Sequence, residues 1–129
     1  MTGEWDDAYD IWLDSDPNAG HSNNSAGDHL ELMIWLDHTP AAQPIPPQVA
    51  SEVKIGANTF DIWHGGDNTA SYVLSPPSDT ISVDLYDVIK DAIARGYAQP
   101  SWYVTDVEFG FEIWNGGAGL GCANFTVNT

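Results

Sequence analysis

Basic residues are nearly absent from this chain, which has 3 Lys or Arg against 19 Asp or Glu and a formal net charge of −16 at pH 7. Binding to a nucleic acid or to an anionic membrane surface requires Lys and Arg that neutralise phosphate groups. We therefore expect no nucleic-acid partner and no membrane partner. A neutral or cationic substrate fits this charge.

Cysteine and long apolar runs are also scarce. The single cysteine, Cys122, has no partner in the chain for a disulfide. No stretch approaches the length of a membrane span, and residues 1–4 do not form a signal peptide. The four histidines lack metal-ligand spacing, and the acidic loop from Asp14 to Asp28 lacks the spacing of an EF-hand. We expect neither a metal nor another cofactor.

Tryptophan, in contrast, is abundant, with 6 residues in 129. The stretch ELMIWL (31–36) alternates in the way of a strand, because successive side chains of a strand point to opposite faces. One face is aliphatic and can pack in a core. The other face carries a carboxylate, a thioether and an indole, from Glu31, Met33 and Trp35.

Two further stretches repeat this pattern. FGFEIW (109–114) places Glu112 and Trp114 opposite its aromatic face, and YDIWL (9–13) does the same with Asp10 and Trp12. Facing carboxylates in an aromatic groove are suited to glycoside hydrolysis, and an indole ring is a surface on which a sugar stacks. The plainer interpretation is a set of half-exposed strands whose acidic residues face water.

Four motifs, in this order, resemble glycoside hydrolase family 12: YDIWLD (9–14), ELMIWL (31–36), AQPI (42–45) and GFEIWNGGAGL (110–120). That family comprises endo-β-1,4-glucanases and xyloglucanases with a jelly-roll fold. The resemblance extends from about Glu4 to Thr126 and begins near the middle of the family domain. Residues 1–129 are therefore expected to be a single, partial catalytic domain.

The expected fold is all-β, an antiparallel two-sheet jelly roll that lacks its N-terminal strands and carries one helix on the sheet. Residues 84–96 predict that helix, with an apolar stripe of period 3.6, Asp84 as the N-cap and Gly96 at its end. Strands are expected at 4–14, 29–36, 49–55, 58–63, 70–74, 80–83 and 121–127, and residues 102–114 are expected to form one or two strands. Three outcomes are expected for such a partial sandwich, in this order: poor solubility without activity, self-association of an open sandwich, or a complementing fragment that supplies the missing strands.

The resemblance implies roles for individual residues. Glu31 would be the nucleophile and Glu112 the general acid/base of a retaining mechanism, with Asp10 as a hydrogen-bonded neighbour of Glu31. The implied substrate is a β-glucan polysaccharide and the implied location is extracellular. Cellulose, mixed-linkage glucan and xyloglucan stay open. Side chains expected to bind the sugar are those of Trp12, Met33, Trp35, Gln43, Pro44 and Trp114.

Two other interpretations stay open on the residues alone. A non-catalytic carbohydrate-binding β-sandwich would use the tryptophans and has no need of two facing carboxylates. A purely structural β-sandwich leaves Trp35 and Trp114 on the polar face unexplained. Release of reducing ends from β-glucan separates the enzyme from both.

Overall fold

The computed structural model describes the backbone of residues 3–17, 29–40, 42–78 and 81–116, and the side chains in these ranges except 3–6 and 110–116. This part of the chain is mostly β. Its elements are β1 (Gly3–Asp14), β2 (His29–His38), β3 (Gln48–Ile55), β4 (Asn58–Gly65), β5 (Thr69–Leu74), α1 (Leu85–Ala94) and β6 (Tyr103–Gly116).

The predicted elements match these closely. The strands at 4–14, 29–36, 49–55, 58–63, 70–74 and 102–114 and the helix are confirmed, with ends that differ by no more than two residues. β3 and β4 form the predicted hairpin, in which Gly56 takes the positive φ of +61° that a tight two-residue turn requires. The predicted closing strand at 121–127 lies outside the described residues.

The described strands form one six-stranded sheet in the order β3-β4-β5-β2-β1-β6. Neighbouring strands are antiparallel, as predicted, except that β2 and β5 run parallel. The chain leaves β2, crosses to the far edge and returns through two hairpins as β3, β4 and β5. β3 runs in the same direction as β2, β4 runs in the opposite direction, and β5 reverses again, so β5 is parallel to β2.

One face of the sheet holds the main core, and α1 packs against it. Its fully buried side chains include Ile11, Leu32, Ile34, Phe60 and Tyr72 from the strands. Val88 and Ala92, from the predicted apolar stripe of the helix, are buried in the same cluster.

The ends and the inner face of α1 are fixed by hydrogen bonds. The Asp84 carboxylate caps the N-terminus by accepting from the Tyr86 N–H at 2.9 Å, as predicted. The Tyr72 hydroxyl donates to Asp91 Oδ2 at 2.7 Å, and Arg95 Nε donates to the same oxygen at 2.7 Å. Burial is the largest cause that raises the pKa of the Tyr72 hydroxyl, and the hydrogen bond to Asp91 is the next. The bond to Asp91 likewise raises the pKa of Arg95.

The predicted strand at 80–83 is wrong for its described residues, since 81–83 are not in a strand. A backbone group there is satisfied by a side chain instead, because Asn58 Nδ2 donates to the Ser82 carbonyl at 2.9 Å. Ile81 and Val83 still pack against the main core. These two apolar residues are therefore partly buried without belonging to the sheet.

The opposite face of the sheet carries a smaller cluster formed by Ala8, Met33, Trp35, Ala42 and Val73, with Trp63 beside it. Ala42 belongs to the crossover between β2 and β3, residues 39–47. The crossover comes so close to β4 that a Cβ at Gly65 would overlap the Pro46 carbonyl oxygen. It therefore runs across this face of the sheet.

Candidate active site

Strands β1 and β2 bring five of the predicted site residues onto one face, namely Asp10, Trp12, Glu31, Met33 and Trp35. Trp12 pairs with Glu31 and Asp10 pairs with Met33, so these side chains lie beside one another on the face opposite the main core. The aliphatic residues between them, such as Ile11 and Leu32, are fully buried on the other face. The alternation predicted from the sequence is thus confirmed for both strands.

Glu31 is half-buried near the start of β2, beside β5. Its backbone N–H donates to the Asn68 carbonyl at 3.2 Å. In the parallel pairing its partner is Thr69, whose Oγ1 lies 3.4 Å from Glu31 Oε1 with the hydroxyl as donor. The Glu31 side chain therefore lies between its register partners, Thr69 on β5 and Trp12 on β1.

The two predicted tryptophans of this face have buried indole N–H groups. Neither Trp12 Nε1 nor Trp35 Nε1 has a hydrogen-bond partner in the described part of the chain. Buried polar groups without a partner are uncommon in native proteins and call for an explanation, such as a ligand group. Trp35 is only 2% exposed, with the His38 ring edge-on at 5.5 Å, so its ring offers no open stacking surface here.

The AQPI motif lies in the crossover along the same face. Ala42 and Pro44 are buried, and Ala42 packs in the cluster with Trp35. Gln43 is exposed, and its Nε2 donates to the Pro40 carbonyl at 3.0 Å. Of the two predicted sugar-binding residues in this motif, Gln43 is therefore the one in contact with solvent.

Strand β6 supplies the remaining predicted residues, at the edge next to β1. Its backbone register pairs Glu108 with Asp10 and Asp106 with Trp12, and pairs Glu112 with Asp6. Asp6 is six residues from Trp12 along β1, or roughly 20 Å at about 3.3 Å per residue. The register thus does not bring the backbone of Glu112 level with Glu31. The side chains of Glu112 and Trp114 lie outside the described side chains, so their predicted roles stay predictions.

Two residues at the start of β5 that contact Glu31, Thr69 and the preceding Asn68, are not among the predicted site residues. Thr69 and Asn68 lie in the turn-rich segment HGGDNTA (64–70), which the sequence predicts only as a turn and a returning strand. Their contact with Glu31 depends on the parallel pairing of β2 with β5. This pairing could have been predicted only from the topology. Three strands follow the crossover, and the third of them, β5, runs in the same direction as β2.

The described residues contain no group of three or more His, Cys, Asp or Glu side chains placed to hold a metal ion. No helix within the same residues has the length and apolar character to cross a membrane.

Known proteins with similar sequences identify the family of this chain. The sequence model of glycosyl hydrolase family 12 matches residues 4–129. The probable cellulase Cel12b of Mycobacterium tuberculosis is 34% identical over 128 residues, covering 97% of this chain and 81% of its own length. The xyloglucan-specific endo-β-1,4-glucanase A of Aspergillus niger is 30% identical over 116 residues, covering 86% of this chain and 46% of its own.

A similar structure is endoglucanase cel12A from Rhodothermus marinus, with a TM-score of 0.82 and 40% identity over 92% of this chain. The match covers 52% of that chain, so the present chain spans about half the length of the solved relative. This likeness confirms the predicted jelly-roll class, of which the described residues form one sheet. The chain belongs to glycosyl hydrolase family 12.

Proposed function

We propose that this protein hydrolyses internal β-1,4 bonds of β-glucans, with Glu31 as nucleophile and Glu112 as general acid/base. The observation that carries the proposal is the position of Glu31. Its carboxylate lies on a sheet face beside Asp10 and Trp12, in a chain that belongs to glycosyl hydrolase family 12. The relatives support the substrate class, because their names describe a cellulase and a xyloglucan-specific endoglucanase. Since such polymers lie outside cells, we also propose that the protein acts there.

The proposed chemistry takes two steps. In the first, a Glu31 oxygen attacks the anomeric carbon, the bond from that carbon to the leaving-group oxygen breaks, and Glu112 gives its proton to that oxygen. In the second, Glu112 takes a proton from water, which attacks the same carbon and releases Glu31. Two inversions give net retention of configuration.

The other described residues of the site bind and orient the sugar. The N–H group of Trp12 is a donor without a partner in the described structure, suited to a sugar hydroxyl that reaches it. Gln43 is exposed on the crossover and supplies a further amide. Retention requires carboxyl groups about 5–5.5 Å apart. That spacing requires Glu112 to be nearly level with Trp12 and Glu31, whereas the β1–β6 register pairs it with Asp6.

The test is release of reducing ends from soluble mixed-linkage β-glucan and from xyloglucan. We expect turnover by the protein and a loss of roughly 10³-fold or more in Glu31→Gln, because Gln cannot attack as a carboxylate does. Glu52→Gln is a matched control, since Glu52 is an exposed residue of β3. Binding of glucan without release of reducing ends would overturn the proposal in favour of a carbohydrate-binding sandwich.

A further inference from the structure

We propose that Thr69 is a positioning residue for Glu31. Its hydroxyl donates to Oε1 of the carboxylate and fixes the rotamer from which the other oxygen, Oε2, attacks the sugar. This inference rests on the proposed function, because it concerns the nucleophile of that reaction. It deepens the proposal by naming what holds the nucleophile in place.

The parallel pairing of β2 and β5 sets the contact. Glu31 and Thr69 are register partners, so their side chains leave the sheet side by side on the same face. Thr69 Oγ1 lies 3.4 Å from Glu31 Oε1, which is long for such a bond. Hydrogen bonds of catalytic groups are often long without substrate and shorten in the complex.

The Thr69 hydroxyl has little choice of partner. Thr69 is only 5% exposed, so water competes weakly for its hydroxyl. Glu31 Oε1 is the acceptor that the described structure gives it. A threonine in a strand is also stiff at χ1, which holds the hydroxyl in one direction. The donor is therefore prepared before substrate arrives.

Asn68 fixes the backbone that carries Thr69. It adopts the left-handed conformation with φ of +58°, which asparagine tolerates better than most residues. Its Nδ2 donates to the His29 carbonyl at 2.7 Å and to the Tyr97 carbonyl at 2.8 Å. Its Oδ1 lies 2.7 Å from His64 Nε2, and the His64 ring stacks on Tyr97 with centroids 3.7 Å apart.

These bonds join the start of β2, the loop after α1 and the end of β4 at one side chain. The Asn68 carbonyl also accepts the N–H of Glu31 at 3.2 Å. Glu31 is thus held through its backbone by Asn68 and through its carboxylate by Thr69. The first contact places the residue, and the second orients the reacting group.

The experiment measures covalent labelling of Glu31 by an aryl 2-deoxy-2-fluoro-β-cellobioside, followed by peptide mass spectrometry. Labelling forms a bond from a Glu31 oxygen to the anomeric carbon and expels the aryloxide, so its rate reports the first chemical step alone. The variants are Thr69→Val and Thr69→Ala, which remove the hydroxyl, and Thr69→Ser, which keeps it. Thr59→Val, in β4, is the matched control.

We expect labelling to slow about 10-fold in Thr69→Val and Thr69→Ala, as for the loss of a hydrogen bond to a charged group. Thr69→Ser should restore the rate to within about threefold, and Thr59→Val should match the unmodified protein. The concentration for half-maximal labelling should stay constant, because the contact acts on orientation and not on sugar binding. Thermal unfolding shows which variants are folded. If valine does not fit at this position, Thr69→Ala is the variant without the hydroxyl whose labelling rate is compared.

The outcomes separate the two proposals. Labelling of Glu31 at equal rates in the folded Thr69 variants would overturn the role of Thr69 and leave the proposed function standing. A slow rate in Thr69→Ser as well would show that side-chain packing, and not the hydroxyl, matters, and would also overturn it. Label on another residue, or no label in the unmodified protein, would overturn the proposed function and this inference with it.

Discussion

Trp12 and Glu31 are directly opposite each other in the antiparallel pairing of β1 with β2. Opposed residues of such a pair have Cβ atoms about 4.5–5.5 Å apart. The indole therefore lies beside the carboxylate, and its N–H is buried without a hydrogen-bond partner in the described residues. A sugar hydroxyl next to the reacting bond is the partner that the proposed function supplies.

Trp12→Phe removes this N–H and keeps an aromatic ring. We expect kcat/KM for soluble β-glucan to fall about fivefold, because a neutral hydrogen bond contributes on the order of 1 kcal/mol. Steady-state kinetics measures the effect. Trp102→Phe is the control, since Trp102 packs against the main core on the other face. Equal kinetics in Trp12→Phe and the unmodified protein would remove this N–H from sugar binding.

Glu112 and Glu108 are two candidates for the general acid/base. The family motif assigns it to Glu112, while the β6 register pairs Glu108 with Asp10. We expect Glu112→Gln to lose about 10²–10⁴-fold in kcat for soluble glucan, and Glu108→Gln to stay within threefold. Measured turnover that is lost in Glu108→Gln and kept in Glu112→Gln would show that the register, and not the motif, identifies the acid.

We expect the protein to lose stability at alkaline pH because the buried Tyr72 hydroxyl ionises there. Burial and the hydrogen bond to Asp91 raise its pKa above the unfolded value of about 10. The neutral hydroxyl therefore stabilises the fold fully below about pH 10, and this contribution is lost as the pH rises further. We expect the free energy of unfolding in urea to decline more steeply between about pH 9.5 and 11 than it does in Tyr72→Phe.

The same variant has an effect at neutral pH. Tyr72→Phe should lose about 0.5–1.5 kcal/mol of unfolding free energy, because one hydrogen bond to Asp91 disappears while Arg95 keeps its own. Tyr86→Phe is the control, since Tyr86 is 59% exposed and should keep the alkaline decline of the unmodified protein. Identical pH dependence in Tyr72→Phe and the unmodified protein would show that ionisation of Tyr72 does not cause the alkaline loss of stability.

Much of the sheet could be predicted from the sequence because strand alternation has a period of two. Leu32 and Ile34 had to face a core once Glu31 and Met33 faced away, and the structure places them so. The helix could also be predicted from the sequence, because it has an apolar stripe of helical period and Asp84 as its N-cap. These features are local, and a local pattern is enough to specify them.

The rest depends on contacts between distant residues. A slip of β6 by four residues would move Glu112 to the position opposite Asp10 and would leave every side chain on its present face, so alternation does not fix this register. The burial of Trp35 depends on the crossover that carries Ala42 across it. The contact of Thr69 with Glu31 depends on a parallel pairing that no local pattern encodes.

The most direct test of the central claim, that Glu31 is the nucleophile, is azide rescue of Glu31→Ala with an aryl β-cellobioside. Azide fits the space that the carboxylate leaves and attacks the anomeric carbon from the same side, and the aryloxide departs. We expect azide to restore aryloxide release and the product, identified by proton NMR, to be the α-cellobiosyl azide. Formation of the β-azide would make Glu31 the acid/base instead, and the absence of any rescue in a folded Glu31→Ala protein would contradict its role as nucleophile.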